Sequence, residues 1–252
     1  LIQINKTVLL AGYNYPDTVE ALESLIQFSH AQMQKGRYRN ITGNVATAWG
    51  LLAAAEKSGR PLFLGSYPIT PATEILMELA KHKSLGAKVF QAEDEIAGIC
   101  SAIGASFTGS LACTTTSGPG LSLKSEAIGL AVITELPLVI VNVQRGGPST
   151  GLPTKSEQSD LYQALFGRNG ECPVIVFAAS SSDNCFDYAY MAAKLSLEHM
   201  TPVILLTDGY LGFGSALFRI PKMADMPDIN PPMAEPNDPD YKPYRRDPET
   251  LV

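Results

Sequence analysis

Histidine is nearly missing from this chain. His30, His82 and His199 are the three present, scattered in glutamine- or charge-rich surroundings. Imidazole is the usual general base, so proton chemistry here must rest on other groups. Cysteine is almost as scarce. Cys100, Cys113, Cys172 and Cys185 form no C-x-x-C pair, which excludes a metal cluster held by this chain alone and points to a reducing, cytoplasmic setting. Cys100 and Cys113 fall in apolar stretches and read as buried small hydrophobes. Basic clusters are absent beyond Arg245-Arg246 and the net charge is −6, so nucleic acid is excluded as a partner. No apolar run reaches the roughly 18 residues of a membrane span. There is no basic n-region of a signal peptide, and the chain opens on Leu1 in mid-pattern. The lack of an initiator Met suggests a piece of a longer protein.

What is present is a sizeable core: 45% of the 252 residues are hydrophobic and only 17% charged. Residues 1–40 hold an apolar run (Thr7–Ala11), a turn at Asn14-Tyr15-Pro16 and a helix from Asp17 to about Gln34. Asp17 and Glu20 have the spacing of a capping box. This segment reads as a linker or the tail of an upstream domain. From Gly43 strands and helices alternate. Helices are predicted over 44–57, 71–82, 93–106, 120–134 and 183–197, with a further one inside 152–166. Strands are predicted over 61–64, 87–91, 110–115, 137–143, 173–178 and 202–207. Pro137–Val143 is the strongest, a β-branched run of the kind buried on both faces. The alternation predicts a doubly wound α/β domain over 41–220, with a mostly parallel sheet and helices on both faces. Residues 221–252, rich in proline and aspartate, read as an extended connector to a further domain.

In such a sheet ligands sit outside the carboxyl ends of the strands, and four strand-to-helix loops there carry polar residues. Gln91-Ala-Glu-Asp-Glu95 brings carboxylates to a helix start, where the dipole favours them. Glu93 and Asp94 read as an ordinary acidic first turn. Glu95 leads a face of Ile96, Ala97, Gly98 and Ala102, too small for a charged surface helix, and is expected to face a site or an interface. In Tyr67-Pro-Ile-Thr-Pro71, Thr70 before Pro71 has the form of an N-cap. The two prolines also make a stiff loop that can position a hydroxyl. Thr114-Thr-Thr-Ser-Gly-Pro-Gly120 allows close backbone approach, but is neither a Walker loop nor GxGxxG. Arg145-Gly-Gly-Pro-Ser-Thr-Gly151 follows the strongest strand. Arg145 there can grip a carboxylate or make a structural ion pair. Thr154 and Glu157 have capping-box spacing, which leaves Ser149 and Thr150 to face a ligand.

These four loops, in this order and spacing, resemble the pyrimidine-binding domain of the α subunit of 2-oxoacid:ferredoxin oxidoreductases, the 2-oxoglutarate type above all, over about residues 43–220. The resemblance implies a thiamine diphosphate enzyme that turns a 2-oxoacid and coenzyme A into acyl-CoA, carbon dioxide and reduced ferredoxin. Glu95 aligns with the family glutamate that contacts the cofactor's aminopyrimidine. Tyr67, Pro68 and Thr70 match the loop beside thiazolium and substrate, Arg145 and Thr150 the hold on the substrate carboxylate, and Ser117 and Gly118 the same cleft. The family's Gly-Asp-Gly pattern for Mg2+ and diphosphate is missing, as is a cysteine cluster. In the family both lie on the β subunit, so the resemblance implies half a site, completed by that partner with its Mg2+ and [4Fe-4S] cluster. An upstream γ-type domain is implied before residue 40. The alternatives are the matching domain of another thiamine enzyme, such as a transketolase-like protein, and a non-catalytic α/β interaction subunit.

Overall fold

The computed structural model describes residues 1–19, 28–235 and 237–249. The chain divides into two compact units, Leu1–Gly36 and Arg37–Val252. In the first, Ile2–Thr18 is a single helix, α1, with no buried residue. The turn expected at Asn14-Tyr15-Pro16 does not form. Pro16 lies in the final turn, where losing one backbone donor ends a helix rather than preventing it. Residues 20–27 of the helix expected from Asp17 to about Gln34, including Glu20 of its capping box, lie outside the described residues, and 28–34 are not helical.

The second unit begins with β1 (Tyr38–Thr42), α2 (Gly43–Ser58), β2 (Leu62–Ser66), α3 (Thr73–Ala80) and β3 (Lys88–Gln91). It continues through α4 (Glu95–Phe107), β4 (Leu111–Thr116), α5 (Gly118–Leu123), α6 (Ser125–Ile133) and β5 (Leu138–Gln144). Then come α7 (Leu161–Phe166), β6 (Ile175–Ala178), α8 (Cys185–His199), β7 (Pro202–Asp208), α9 (Gly209–Phe213) and β8 (Ser215–Arg219). Six strands form one sheet in the order β3-β2-β4-β5-β7-β6, and every pairing in it is parallel. This is the doubly wound architecture that the alternation of strand and helix predicts. β1 and β8 form a separate antiparallel ribbon, Tyr38 opposite Arg219. Neither was legible as a strand, because a short ribbon outside the main sheet leaves no buried run.

Every residue of β5 and of β7 is buried. Their alternate side chains feed two cores, as the pleat requires. Val139, Val141 and Val143 join α2, α3 and α8 through Leu51, Ile75 and Ala189. Leu138 and Ile140 join α4, α5, α6 and α7 through Ile99, Leu121, Ile128 and Ala164. The proline-rich tail contributes too: Met226 and Ile229 are buried in the first core, and the Tyr190 hydroxyl donates to the Pro227 carbonyl. Cys113 and Cys185 are buried, but Cys100 is exposed on the outer side of α4, contrary to expectation. Alanine and glycine on α4 leave its two faces hard to tell apart by hydrophobicity.

Topology reverses direction between β2 and β4: the chain leaves β2 toward β3 on one side, then returns to pair β4 on the other. The loops after β2, β3, β4 and β5 therefore meet at one edge, where an open parallel sheet has its crevice.

Candidate active site

Close packing sets the height of α4. A methyl group on Gly65 would collide with the Gly98 carbonyl and Ser101 Oγ, and one on Gly98 would press on the Gly65 carbonyl at 3.3 Å. Helix and strand thus touch backbone to backbone, which only glycine permits. Asp94 caps the helix, its Oδ1 accepting from the Ala97 N–H at 2.8 Å. Glu95 is the first helical residue, half-buried. The acidic run divides as its chemistry directs: Asp94 serves the helix and Glu95 is left for the cleft.

That cleft encloses about 880 Å³ and is lined by Glu95, Gly118, Arg145, Ser149, Thr150 and Asp160, among others. The loops predicted from sequence to converge therefore do so. Tyr67, Pro68, Thr70 and Ser117 are not lining residues. Pro68 and Thr70 are exposed. Tyr67 is buried behind the wall, its hydroxyl 2.9 Å from Thr116 Oγ1. Burial, with the Glu95 carboxyl beside it, pushes the Tyr67 phenol well above its ordinary range, against the pull of Thr116. Ser117 is fully buried and its Oγ has no partner.

Arg145 is 6% exposed. It donates from one terminal nitrogen to the Thr70 carbonyl at 2.7 Å and from the other to the Thr150 carbonyl at 2.9 Å. Its Nε is buried without a partner. Among the described residues no salt bridge neutralises it. The structural ion pair is thus not formed. Arg145 instead ties together the two loops that carry cis peptide bonds, Thr70–Pro71 and Gly147–Pro148.

Both capping readings in these loops are overturned. Thr70 is no N-cap. α3 starts at Thr73, and it is the Thr73 hydroxyl that accepts from the Ile69 N–H at 2.8 Å. What Thr70 contributes is its carbonyl, to Arg145. Thr154 and Glu157 form no capping box, for α7 begins only at Leu161. The Glu157 carboxylate accepts instead from the Gly147 N–H at 2.7 Å. The 146–155 loop closes on itself, Gly146 N–H to Lys155 carbonyl at 2.8 Å and Leu152 N–H to Gly146 carbonyl at 2.8 Å. These bonds compete with helix formation for the same backbone.

Three participants escaped the sequence. Gly120 is required by crowding: a Cβ there would overlap Thr116 Oγ1 and Tyr67 Oη and stand 3.0 Å from Glu95 Cγ. Asp160 closes the cleft floor, accepting from Asn142 Nδ2 at 2.9 Å, and Gly118 gives it room. Lys124 interrupts the helix expected over 120–134, standing between α5 and α6 with its whole side chain buried. In sequence it reads as one more polar residue on a surface helix. No local pattern marks it as buried.

Comparison with known proteins shows the family. Residues 54–250 match the family model of the pyruvate flavodoxin/ferredoxin oxidoreductase thiamine diphosphate-binding domain. The chain is 53% identical over 252 residues to a 2-oxoglutarate oxidoreductase subunit KorA of Mycobacterium tuberculosis, covering all of this chain and 38% of that protein. It is 41% identical over 199 residues to a 2-oxoglutarate synthase subunit KorA of Methanothermobacter marburgensis, covering 79% of this chain and 52% of the relative. The 2-oxoglutarate:ferredoxin oxidoreductase of Magnetococcus marinus, solved with 2-oxoglutarate, coenzyme A and succinyl-CoA bound, superposes with a TM-score of 0.82 at 38% identity, over 96% of this chain and 42% of its own. The chain spans about half the length of these relatives or less. It belongs to the pyruvate flavodoxin/ferredoxin oxidoreductase family, as a thiamine diphosphate-binding domain.

Proposed function

We propose that this chain is the pyrimidine-binding part of the α subunit of a 2-oxoacid:ferredoxin oxidoreductase. Its reaction is the oxidative decarboxylation of a 2-oxoacid, 2-oxoglutarate in the first place, with coenzyme A. The products are acyl-CoA, carbon dioxide and reduced ferredoxin. The observation that carries the reading is that Glu95 and Arg145 line one cleft at the carboxyl edge of the sheet. The relatives named for 2-oxoglutarate support the substrate.

The cleft fits the pyrimidine end of thiamine diphosphate. It has the volume for a ring and a half-buried carboxylate on its wall. When bound, that cofactor supplies the nucleophilic carbon and the electron sink for decarboxylation. With that cofactor bound, Glu95 would hold the aminopyrimidine ring through its carboxyl and Gly118 would leave room for the ring. Tyr67 backs the carboxyl from the protein side, Ser117 lies buried behind the wall, and the loop of Pro68 and Thr70 holds Arg145 through the Thr70 carbonyl. Arg145 carries a buried positive charge with no carboxylate partner among the described residues, which suits the carboxylate of an incoming 2-oxoacid. Thr150, at the mouth, hydrogen-bonds the same substrate.

No cluster of three or more His, Cys, Asp or Glu side chains among the described residues can hold a metal. Mg2+, the diphosphate and the [4Fe-4S] cluster are assigned to a β subunit, with which this chain forms a hetero-oligomer that passes electrons to ferredoxin. Residues 1–40 are assigned to the exit of an upstream γ-type domain, 41–220 to the pyrimidine domain, and 221–252 to a connector. The compact unit starting at Arg37 supports a boundary near there. The described residues contain no helix long and apolar enough to cross a membrane, and all four cysteines are free. The free cysteines suit the cytoplasmic location proposed here.

The test is co-expression of the full-length subunit with the product of the neighbouring gene. Acceptor reduction is then assayed with pyruvate, 2-oxoglutarate and branched 2-oxoacids. The expected result is turnover that needs both thiamine diphosphate and coenzyme A and is fastest with 2-oxoglutarate. A complex that assembles and turns over none of them would favour the non-catalytic interaction subunit.

A further inference from the structure

Lys124 is the largest fully buried side chain of the second unit, at 0% exposure. Burying an ammonium costs several kcal/mol unless acceptors replace its water. Two do. Lys124 Nζ donates to the Glu95 carbonyl at 2.7 Å and to Thr114 Oγ1 at 3.2 Å. It also lies 5.2 Å from the centroid of the Tyr67 ring, within reach of a cation–π contact. Among the described residues it makes no salt bridge. The charge is therefore placed behind Glu95, on the side away from the cleft, and held there by backbone and hydroxyl rather than by a carboxylate.

We infer that Lys124 is a positioning residue for Glu95: its ammonium pins the first turn of α4 against β4 through the Glu95 carbonyl and Thr114, and so fixes where the Glu95 side chain enters the cleft. The inference deepens the proposed function and rests on it. The position is built in three ways. Lys124 falls at the break between α5 and α6, so its side chain leaves the helix surface and turns inward. Thr114 faces it because β4 alternates, while Thr115 on the other face bonds Ser66 at 2.6 Å. Tyr67 closes the lid.

The groups that act on the ammonium are Thr114 from β4 and the Glu95 carbonyl by hydrogen bond, the Tyr67 ring, and, through charge alone, Glu95, Asp94 and Cys100 of α4. Burial pulls Lys124 down to about 8, while the Glu95 and Asp94 carboxylates and Cys100 push it back up. The ammonium that ties the Glu95 carbonyl to Thr114 is then present at neutral pH and is lost as pH rises through that value. A lysine that only filled a gap would be replaced by methionine with no change in pH dependence.

The decisive experiment compares wild type and Lys124→Met in the reconstituted complex. The readouts are kcat/KM against pH, KM for the 2-oxoacid, and thiamine diphosphate affinity by titration. The expected result is a loss of at least about tenfold in kcat/KM with KM little changed. Cofactor affinity should weaken about tenfold, and the alkaline fall-off near pH 8 should disappear. Wild-type kcat/KM with a wild-type profile would overturn the inference. If Lys124→Met fails to assemble, Thr114→Val decides. It removes one acceptor but keeps the shape; a displaced alkaline limb supports the role, and an unchanged one overturns it. If the wild-type complex turns over no 2-oxoacid, the proposed function fails separately, and equal cofactor affinity in wild type and Lys124→Met then overturns the role of Lys124.

Discussion

At the scale of single residues the site is a division of labour among neighbours of similar chemistry. Asp94 and Glu95 are adjacent carboxylates, yet one caps α4 and the other faces the cleft. Glu95→Gln should fold and assemble normally and lower kcat about 100-fold or more, the range expected when a proton-handling group is lost. Steady-state kinetics on the complex checks this, and unchanged kcat would remove Glu95 from its role. Arg145→Ala should do two things, because the side chain also donates to the Thr70 and Thr150 carbonyls. The substrate KM should rise, as for a uniform binding contact. Stability should fall by roughly 2–4 kcal/mol, the scale of two partly buried bonds from a charged donor. Thermal unfolding measures the second effect, and a normal Tm with raised KM would show that the loops hold without it. Gly120→Ala should cost about 1–3 kcal/mol by overpacking, since a methyl there meets Thr116, Tyr67 and Glu95. Tyrosine and threonine were visible in the sequence as loop residues. Their crowding around a glycine 53 positions from Tyr67 was not, because no local pattern encodes which side chains a sheet brings face to face.

Among elements, α2 and α3 are joined by two carboxylates, Glu74 through Asn44 and Glu78 through Trp49. Glu78 accepts from Trp49 Nε1 at 3.0 Å and from Lys81 Nζ at 2.7 Å, with His82 Nε2 at 3.1 Å. Burial alone would raise its carboxyl, but these donors hold it down at about 2 against an ordinary 4.5. A carboxyl lowered by folding stabilises the fold above its unfolded value and loses that contribution as pH falls. Tm should therefore drop between pH 4.5 and 2, and Glu78→Gln should flatten that part of the profile. A Glu78→Gln profile parallel to wild type would detach the acid sensitivity from this contact. Element boundaries were predicted well where period and burial agree, as in β5 and α8. They failed where loops compete for the backbone. The capping box read from Thr154 and Glu157 does not form, because the closed turn at Gly146 and the bond from the Gly147 N–H take its polar groups.

Over the whole molecule, the tail beyond Ile220 is more than a tether. Met226 and Ile229 are buried in the core formed by α2, α3 and α8, and Lys57 pairs with Asp228 at 2.9 Å. Met226→Ala with Ile229→Ala should cost roughly 2–5 kcal/mol per site if the cavities stay open, read by denaturant unfolding. A midpoint unchanged within error would make the tail a loose strap. Composition hid this, since two apolar residues among prolines have no period. What the sequence determined alone was the alternation of strand and helix, and with it a parallel sheet whose loop-bearing edge carries Tyr67, Glu95, Ser117 and Arg145. Period and turn chemistry are local, and right-handed crossovers leave few topologies open. What only the tertiary structure decided was which of those residues reach the cleft and which stand behind it, and that Lys124 lies buried beneath Glu95. Those outcomes depend on contacts between segments far apart in the chain, and close packing rather than any nearby residue selects them.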